Sequence, residues 1–537
     1  MAANATITPK TRARWPLTAF AIAGGLCLSG TTLCAEQPLS AIDWLSQSIA
    51  PTAQPATSVP IVPAKPAEPP VAAQGTTLPA AVTVSVLGQI NIDKTGILPP
   101  SVTGFPRALW GNGRSADVIA AFSGLQLERL PALQSLLITL LLAEADPPFD
   151  AAPPGAMLTA RIDRLLALGA LDQAQALLDA AGPLHDPELF RRLFDVALLT
   201  DQATRACQEL LANPGLSPAL VTRVFCQARM GDVSNATLTL ATAKALDQIS
   251  GGEAELLARF LDPELSEIEG PILTPPPSPM TPLAWRIYEA VGEPLPTSNL
   301  ALAFAHAELD ERTAWRAQVE AAERLVRAGV LAPNHLLGLY TERQPAASGG
   351  VWDRIAAFQR LDQTVQSGDP VAVGSALAKA YEMMKAAELE TMLAAIYAKP
   401  LSRLDLTPSD RRIAFELALL SPDFESLAQG DPGEIRPDTA FLQGLAKGDL
   451  KGTTPPGSLG RAIAPAFDAP VLTPHFKTLK AEGRIGEIIL SAMKMVMEGG
   501  FGDLRQITDG LSALRLVGLE SIARRTALEL MLIEMRG

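Results

Sequence analysis

The stretch LLALGALDQAQALLDAAG, residues 165–182, carries apolar residues three and four apart on either side of one glycine. That spacing places the apolar side chains on one face of a helix. Gly169 then marks a turn, and Ala174, five residues on, marks a close approach between two helices. The same pair returns as Gly231 and Ala236 in ARMGDVSNATLTLATA. Midway between them, LLTDQATRACQELL keeps the apolar spacing without the glycine. Gly518 and Ala523 repeat the pair in LRLVGLESIARRTALELM. Glycine can take the left-handed conformation that ends a helix, and alanine lets the next helix lie against the first. The pattern predicts helix–turn–helix units recurring about every 31 to 35 residues.

Helix starts agree with this. Asp186-Pro187, Ser217-Pro218, Asp369-Pro370, Thr407-Pro408 and Ser421-Pro422 each set a capping side chain before a proline, the arrangement that opens helices. LPALQSLLITLLLAEADPP predicts a buried helix, since the apolar run is too short for a bilayer span. The fold expected is all-α, a solenoid of helical hairpins in two arrays, residues 115–270 and 283–537. The proline-rich PILTPPPSPMTP, 271–282, separates them. TERQPAASGGVWDR (341–354) and residues 447–475 read as loops in the second array. AVTVSVLGQINI, 81–92, alternates valine with smaller residues and predicts one small β element. It begins a strand-and-loop lead-in that runs to residue 114.

The hairpin periodicity resembles the tetratricopeptide and Sel1-like class of α-solenoids, best over residues 155–245 and next over 480–535. That resemblance implies stacked helix pairs with a concave surface for proteins or peptides. The tryptophan and tyrosine positions of a tetratricopeptide consensus are absent. PLSAIDWLSQSI, AAERLVRAG and PAASGGVWDR also resemble a group of exported bacterial proteins of unknown role, some labelled antifreeze-glycopeptide-like. The tandem Ala-Ala-Thr units which that label requires are missing.

The N-terminus changes the picture. Lys10, Arg12 and Arg14 precede the uncharged WPLTAFAIAGGLCLSG, and TTLCA follows. This is the layout of a secretory leader, with cleavage expected after Ala35 and a periplasmic destination. Residues 36–80 form a short peptide and a linker. In the peptide, Ile42, Trp44 and Leu45 make a candidate docking face, because a tryptophan among aliphatic anchors is common hot-spot material. Residues 51–79 hold eight prolines and predict an extended tether of roughly 90 Å. Trp352 is a second candidate binding residue, at the edge of its loop. Removal of the leader leaves Cys207 and Cys226. In an exported chain they predict one disulfide, two buried free thiols being the alternative.

Composition narrows the function. Aromatic residues are 5% of the chain and hydrophobic residues 48%, so the core must be built from small and aliphatic side chains. The net charge of −13, without a lysine or arginine cluster, argues against nucleic acid and against anionic membrane. Membrane contact is expected only through an uncleaved leader. Catalytic motifs dissolve on inspection. Ser491 and Lys494 sit as S-x-x-K, but the only K-T-G, Lys94–Gly96, lies far upstream instead of downstream. DKTG at Asp93 reads as a turn. Glu520-Ser521 has the acid of a lytic transglycosylase but no room behind it for the catalytic domain. The four histidines, His185, His306, His335 and His475, are too far apart for a local metal motif. No cofactor is expected. The sequence points to a protein- or peptide-binding scaffold of the cell envelope. A cell-wall enzyme with a site assembled from distant repeats, or a structural or stress protein, are the other readings.

Overall fold

The computed structural model describes residues 91–533, apart from 126, 128–129, 151–152, 183–185, 218 and 266–274. The described residues form helices and turns, with no strand longer than the isolated bridge Leu98–Ala143. The β element expected over 81–92 lies outside them except for its last two residues. There Asn91 caps the 3-10 turn Ile92–Lys94.

Among the described residues, ten α-helices of eight or more residues precede residue 300. They are α1 Ser115–Gly124, α2 Pro131–Leu142, α3 Ala156–Ala167, α4 Leu171–Ala180, α5 Pro187–Leu199, α6 Ala203–Ala212, α7 Leu220–Arg229, α8 Val233–Ala245, α9 Gly251–Leu261 and α10 Pro282–Ala290. Six follow to residue 420: α11 Trp315–Arg327, α12 Pro333–Glu342, α13 Val351–Ser367, α14 Pro370–Ala386, α15 Glu390–Leu401 and α16 Pro408–Leu420. The last six are α17 Thr439–Lys447, α18 Gly457–Asp468, α19 Pro474–Ala481, α20 Ile485–Phe501, α21 Leu504–Leu516 and α22 Glu520–Leu532. Helix α18 occupies part of the segment read as loop. Its Ile463, Ala464, Ala466 and Phe467 are buried, and Pro455 and Pro456 stand before it, where they do no harm to a helix. Among the described residues, no helix is long and apolar enough to cross a membrane.

The hairpin turns obey one rule. Gly169, Gly231 and Gly518 all have positive φ. Ala174, Ala236 and Ala523, five residues on, are each fully buried. After each glycine the next amide bonds back five residues, Ala170 to Leu165, Asp232 to Gln227 and Leu519 to Leu514. That is the closure of a helix ending in a left-handed residue. In the degenerate middle copy Asp201 takes this position at φ 56°. Gln202 bonds back to Ala197, and Ala206 is the buried partner. Asp tolerates this conformation better than most side chains, so the turn survives loss of the glycine.

Three of the five proline-flanked caps act as expected. Asp186, Asp369 and Thr407 accept amides of the first turn of α5, α14 and α16. Helix α7 instead starts at Leu220 after Ala219, and Ser421 closes α16, its hydroxyl bonded to Ala418 O. Three other helices receive no cap from their own flanking side chains and take one from a distant acid. Asp150 accepts Ser115 N at 2.8 Å for α1. Asp93 accepts Gly155 N and Leu158 N, each at 2.9 Å, for α3. Glu529 of α22 accepts Ala132 N at 3.0 Å for α2. Each supplies the acceptor that the free amides of a helix start require.

These contacts sort the described residues into three cores. In the first, α5 to α9 each pack on the next, and α10 packs back on α5. Its buried residues all fall between Phe190 and Tyr288, so the proline-rich stretch before α10 does not interrupt it. The second core gathers α11 to α16 around Tyr340, Phe358 and Leu393. The third joins both ends of the described chain. There α22 packs on α2, and α20 packs on α1 and α2. Trp110, edge-on to Phe122 at 5.6 Å, covers Gly486 so closely that a Cβ there would collide with the indole.

Candidate functional site

An open cavity of about 650 Å³ lies within the first core. Its walls come from α5, the start of α7, the start of α9, the segment 275–282 and α10. The elements set its character. Helix α5 is strongly amphipathic, with Phe190, Phe194 and Leu198 facing inward. Helix α10, opened by Thr281 as cap and Pro282 at its first position, brings Ile287 and Tyr288. Phe194, Leu256, Leu257, Ile287 and Tyr288 are all buried, and Pro275, Pro277 and Met280 line the side opposite a regular helix. A cavity of a few hundred Å³ with an apolar floor and few polar groups is the usual form of a ligand site.

Three charged side chains line it: Arg191, Asp195 and Glu253. Arg191 donates to Asp195 Oδ2 at 3.2 Å and also faces Glu188 at 3.7 Å. Glu253 closes a capping box with Ser250 at the start of α9. Burial lifts the Asp195 carboxyl to about 6, against the opposing pull of Arg191 and Arg192. Asp195 stands between Phe194 and Val196 on the face of α5 that meets the core. A lone acid inside an apolar face is the one trace of this site in the sequence.

The residues singled out from the sequence fall elsewhere. Cys207 of α6 and Cys226 of α7 form a disulfide, both fully buried beneath the same core. Trp352 is the second residue of α13 instead of a loop edge, with its ring 5.1 Å from that of Trp315. Two residues on, Arg354 pairs with the buried Glu323 at 2.7 Å, and Tyr340 donates to the same carboxylate. Ile42, Trp44 and Leu45 lie outside the described residues. Ser491 is half-buried on α20, and Lys494 reaches Glu498 at 3.7 Å. Glu520 is held by Arg515 at 2.6 Å, while Asp93 serves as the cap of α3. His306 Nε2 donates to Gly169 O, 2.7 Å away, and burial lowers its pKa. Among the described residues no group of three acids, histidines or cysteines is placed to hold a metal ion.

A second cavity, about 590 Å³, shares α5 and α7 with the first and is bordered by Phe225, Phe260, Arg229, Arg286 and Arg312. Its arginines already face acids: Arg229 and Arg312 both approach Asp201, and Arg286 binds Glu289. Comparison with known proteins returns nothing: no family model matches this chain, and no curated protein or solved structure is significantly similar to it.

Proposed function

We propose that this chain is an exported helical-repeat scaffold, of the tetratricopeptide and Sel1-like kind, that binds a protein or peptide in the cell envelope. The cavity between α5, α9 and α10 carries the reading. It combines an apolar floor with a few polar groups on framework helices, as binding sites do. The recurring left-handed turns support the repeat character. The leader-like N-terminus and the disulfide fit an oxidising compartment.

Site-specific photocrosslinking in cells tests it. A photoreactive residue at Thr222 or Leu283, both on the cavity wall, is expected to give a discrete adduct in the periplasmic fraction. The same residue at Ser409, exposed on α16, is the control and should give none. Equal labelling at all three positions, or recovery of the chain from the cytosol with its leader intact, would refute the proposal. Deleting residues 36–50 asks whether Ile42, Trp44 and Leu45 add to capture. Weaker capture at an unchanged melting temperature is the expected result, and a large fall in melting temperature would make that segment part of the packed structure.

A further inference from the structure

The cavity of the first core has a charge pattern as well as a shape. Two of its three charged lining groups are carboxylates, and its one cation, Arg191, is engaged by Asp195 and Glu188 of its own helix. Asp195 Oδ2 is held by Arg191, whereas Oδ1 accepts no hydrogen bond from the described residues. The side chain is 23% exposed, so this oxygen meets water until a guest covers it, beside Phe194, Leu257, Ile287 and Tyr288. An apolar guest fills the floor but leaves that oxygen dry. A guest that also carries an ammonium or guanidinium group supplies the missing donor, and charge-assisted hydrogen bonds of this kind are the strong ones. Glu253 at the rim adds to the attraction.

We propose that this cavity receives an apolar peptide side chain flanked by a basic residue, with the apolar group on the floor and the cation at Asp195. This deepens the peptide-binding reading and rests on it. The pairing sets a rule of recognition: neither the apolar group nor the cation suffices alone.

Three short probes test the rule on the full chain with its disulfide intact: acetyl-Phe-Lys-amide, acetyl-Phe-Glu-amide and acetyl-Gly-Lys-amide. In saturation-transfer NMR titrations the first is expected to bind at least tenfold more tightly than either of the others. The substitution Asp195→Asn keeps the size of the side chain and is expected to bring the first probe down to the level of the second. Glu253→Gln, at an exposed position, should cost a smaller factor, about threefold. Filling the cavity with Ala284→Phe should abolish binding of all three while the far-ultraviolet circular dichroism stays helical. Equal binding of the Lys and Glu probes, or a preference that survives Asp195→Asn, overturns the proposal. If the Thr222 and Leu283 crosslinks form while the Lys and Glu probes bind equally, the charge rule alone is wrong. If the crosslinks fail as well, the binding role falls with it.

Discussion

Two regions of this molecule are held together in different ways. Between Pro187 and Ala290, each helix packs on the next and the buried residues of their shared core all come from that stretch, while Leu189, Val196, Leu199 and Trp285 join it to the third core. Around α2 and α22 the core is completed by residues 397 positions apart, as Glu529 and Ala132 are. The first region carries the disulfide and the 650 Å³ cavity. The second carries a tryptophan wedged on a glycine and a buried acid capping a helix. The difference has a physical reading. A core assembled from short-range neighbours can leave a hollow among its helices, and a covalent bridge offsets the packing lost there. A core assembled from both ends depends on close packing at its junction, and the hollow beside it, at Pro131 and Ile533, is smaller, about 230 Å³.

The largest expected effect comes from breaking the long-range junction. Trp110→Ala empties the space over Gly486 and Phe122 and should cost about 3–5 kcal/mol, the usual range for a buried aromatic. Chemical denaturation should record the loss, with the α1, α2 and α20 segments opening first. Replacing Cys207 and Cys226 together by Ser is next. A bridge closing 19 residues is worth roughly 3 kcal/mol, and the loss should be felt in α5 to α10. A smaller loss there would mean that neighbour packing alone supports the region.

Glu529 makes the junction sensitive to pH. Burial lifts its carboxyl to about 7, against Arg525 and the Ala132 amide. In the unfolded chain the group titrates near the ordinary glutamate value, so between the two pH values the folded state holds the extra proton. Stability from this group is therefore greatest at low pH and falls as pH rises from about 4.5 toward 7, by at most about 3 kcal/mol. Glu529→Gln should flatten that slope in denaturation curves recorded from pH 4.5 to 8. An unchanged slope would place the pH dependence elsewhere. The smallest effect belongs to the repeat turn. Asp201→Gly removes left-handed strain but also the acid that Arg229 and Arg312 approach at the surface; the strain relief should win by about 1 kcal/mol or less, visible as a small rise in the denaturation midpoint.

These regions also differ in how far they could be read from the sequence. The hairpins were legible because Gly169 and Ala174 report a local geometry, and local geometry lies within a few residues of itself. The degenerate copy shows the limit of that signal: Asp201 does the work of glycine under a different letter. The caps from Asp93, Asp150 and Glu529 were not legible, since nothing in a sequence marks which distant acid meets a bare helix start. The same holds for α22 on α2. The cavity was hidden for a further reason. It needs four helices and a proline-rich segment at once, and the prolines of that segment, taken alone, signal a boundary between two arrays.

Hydrogen exchange measured by mass spectrometry on the full chain compares the two regions most directly. With Cys207 and Cys226 both replaced by Ser, the account predicts faster exchange across α5 to α9 and α10, with α2 and α20 to α22 still protected as in the parent. Acceleration spread equally over both regions, or none in α5 to α10, would contradict it.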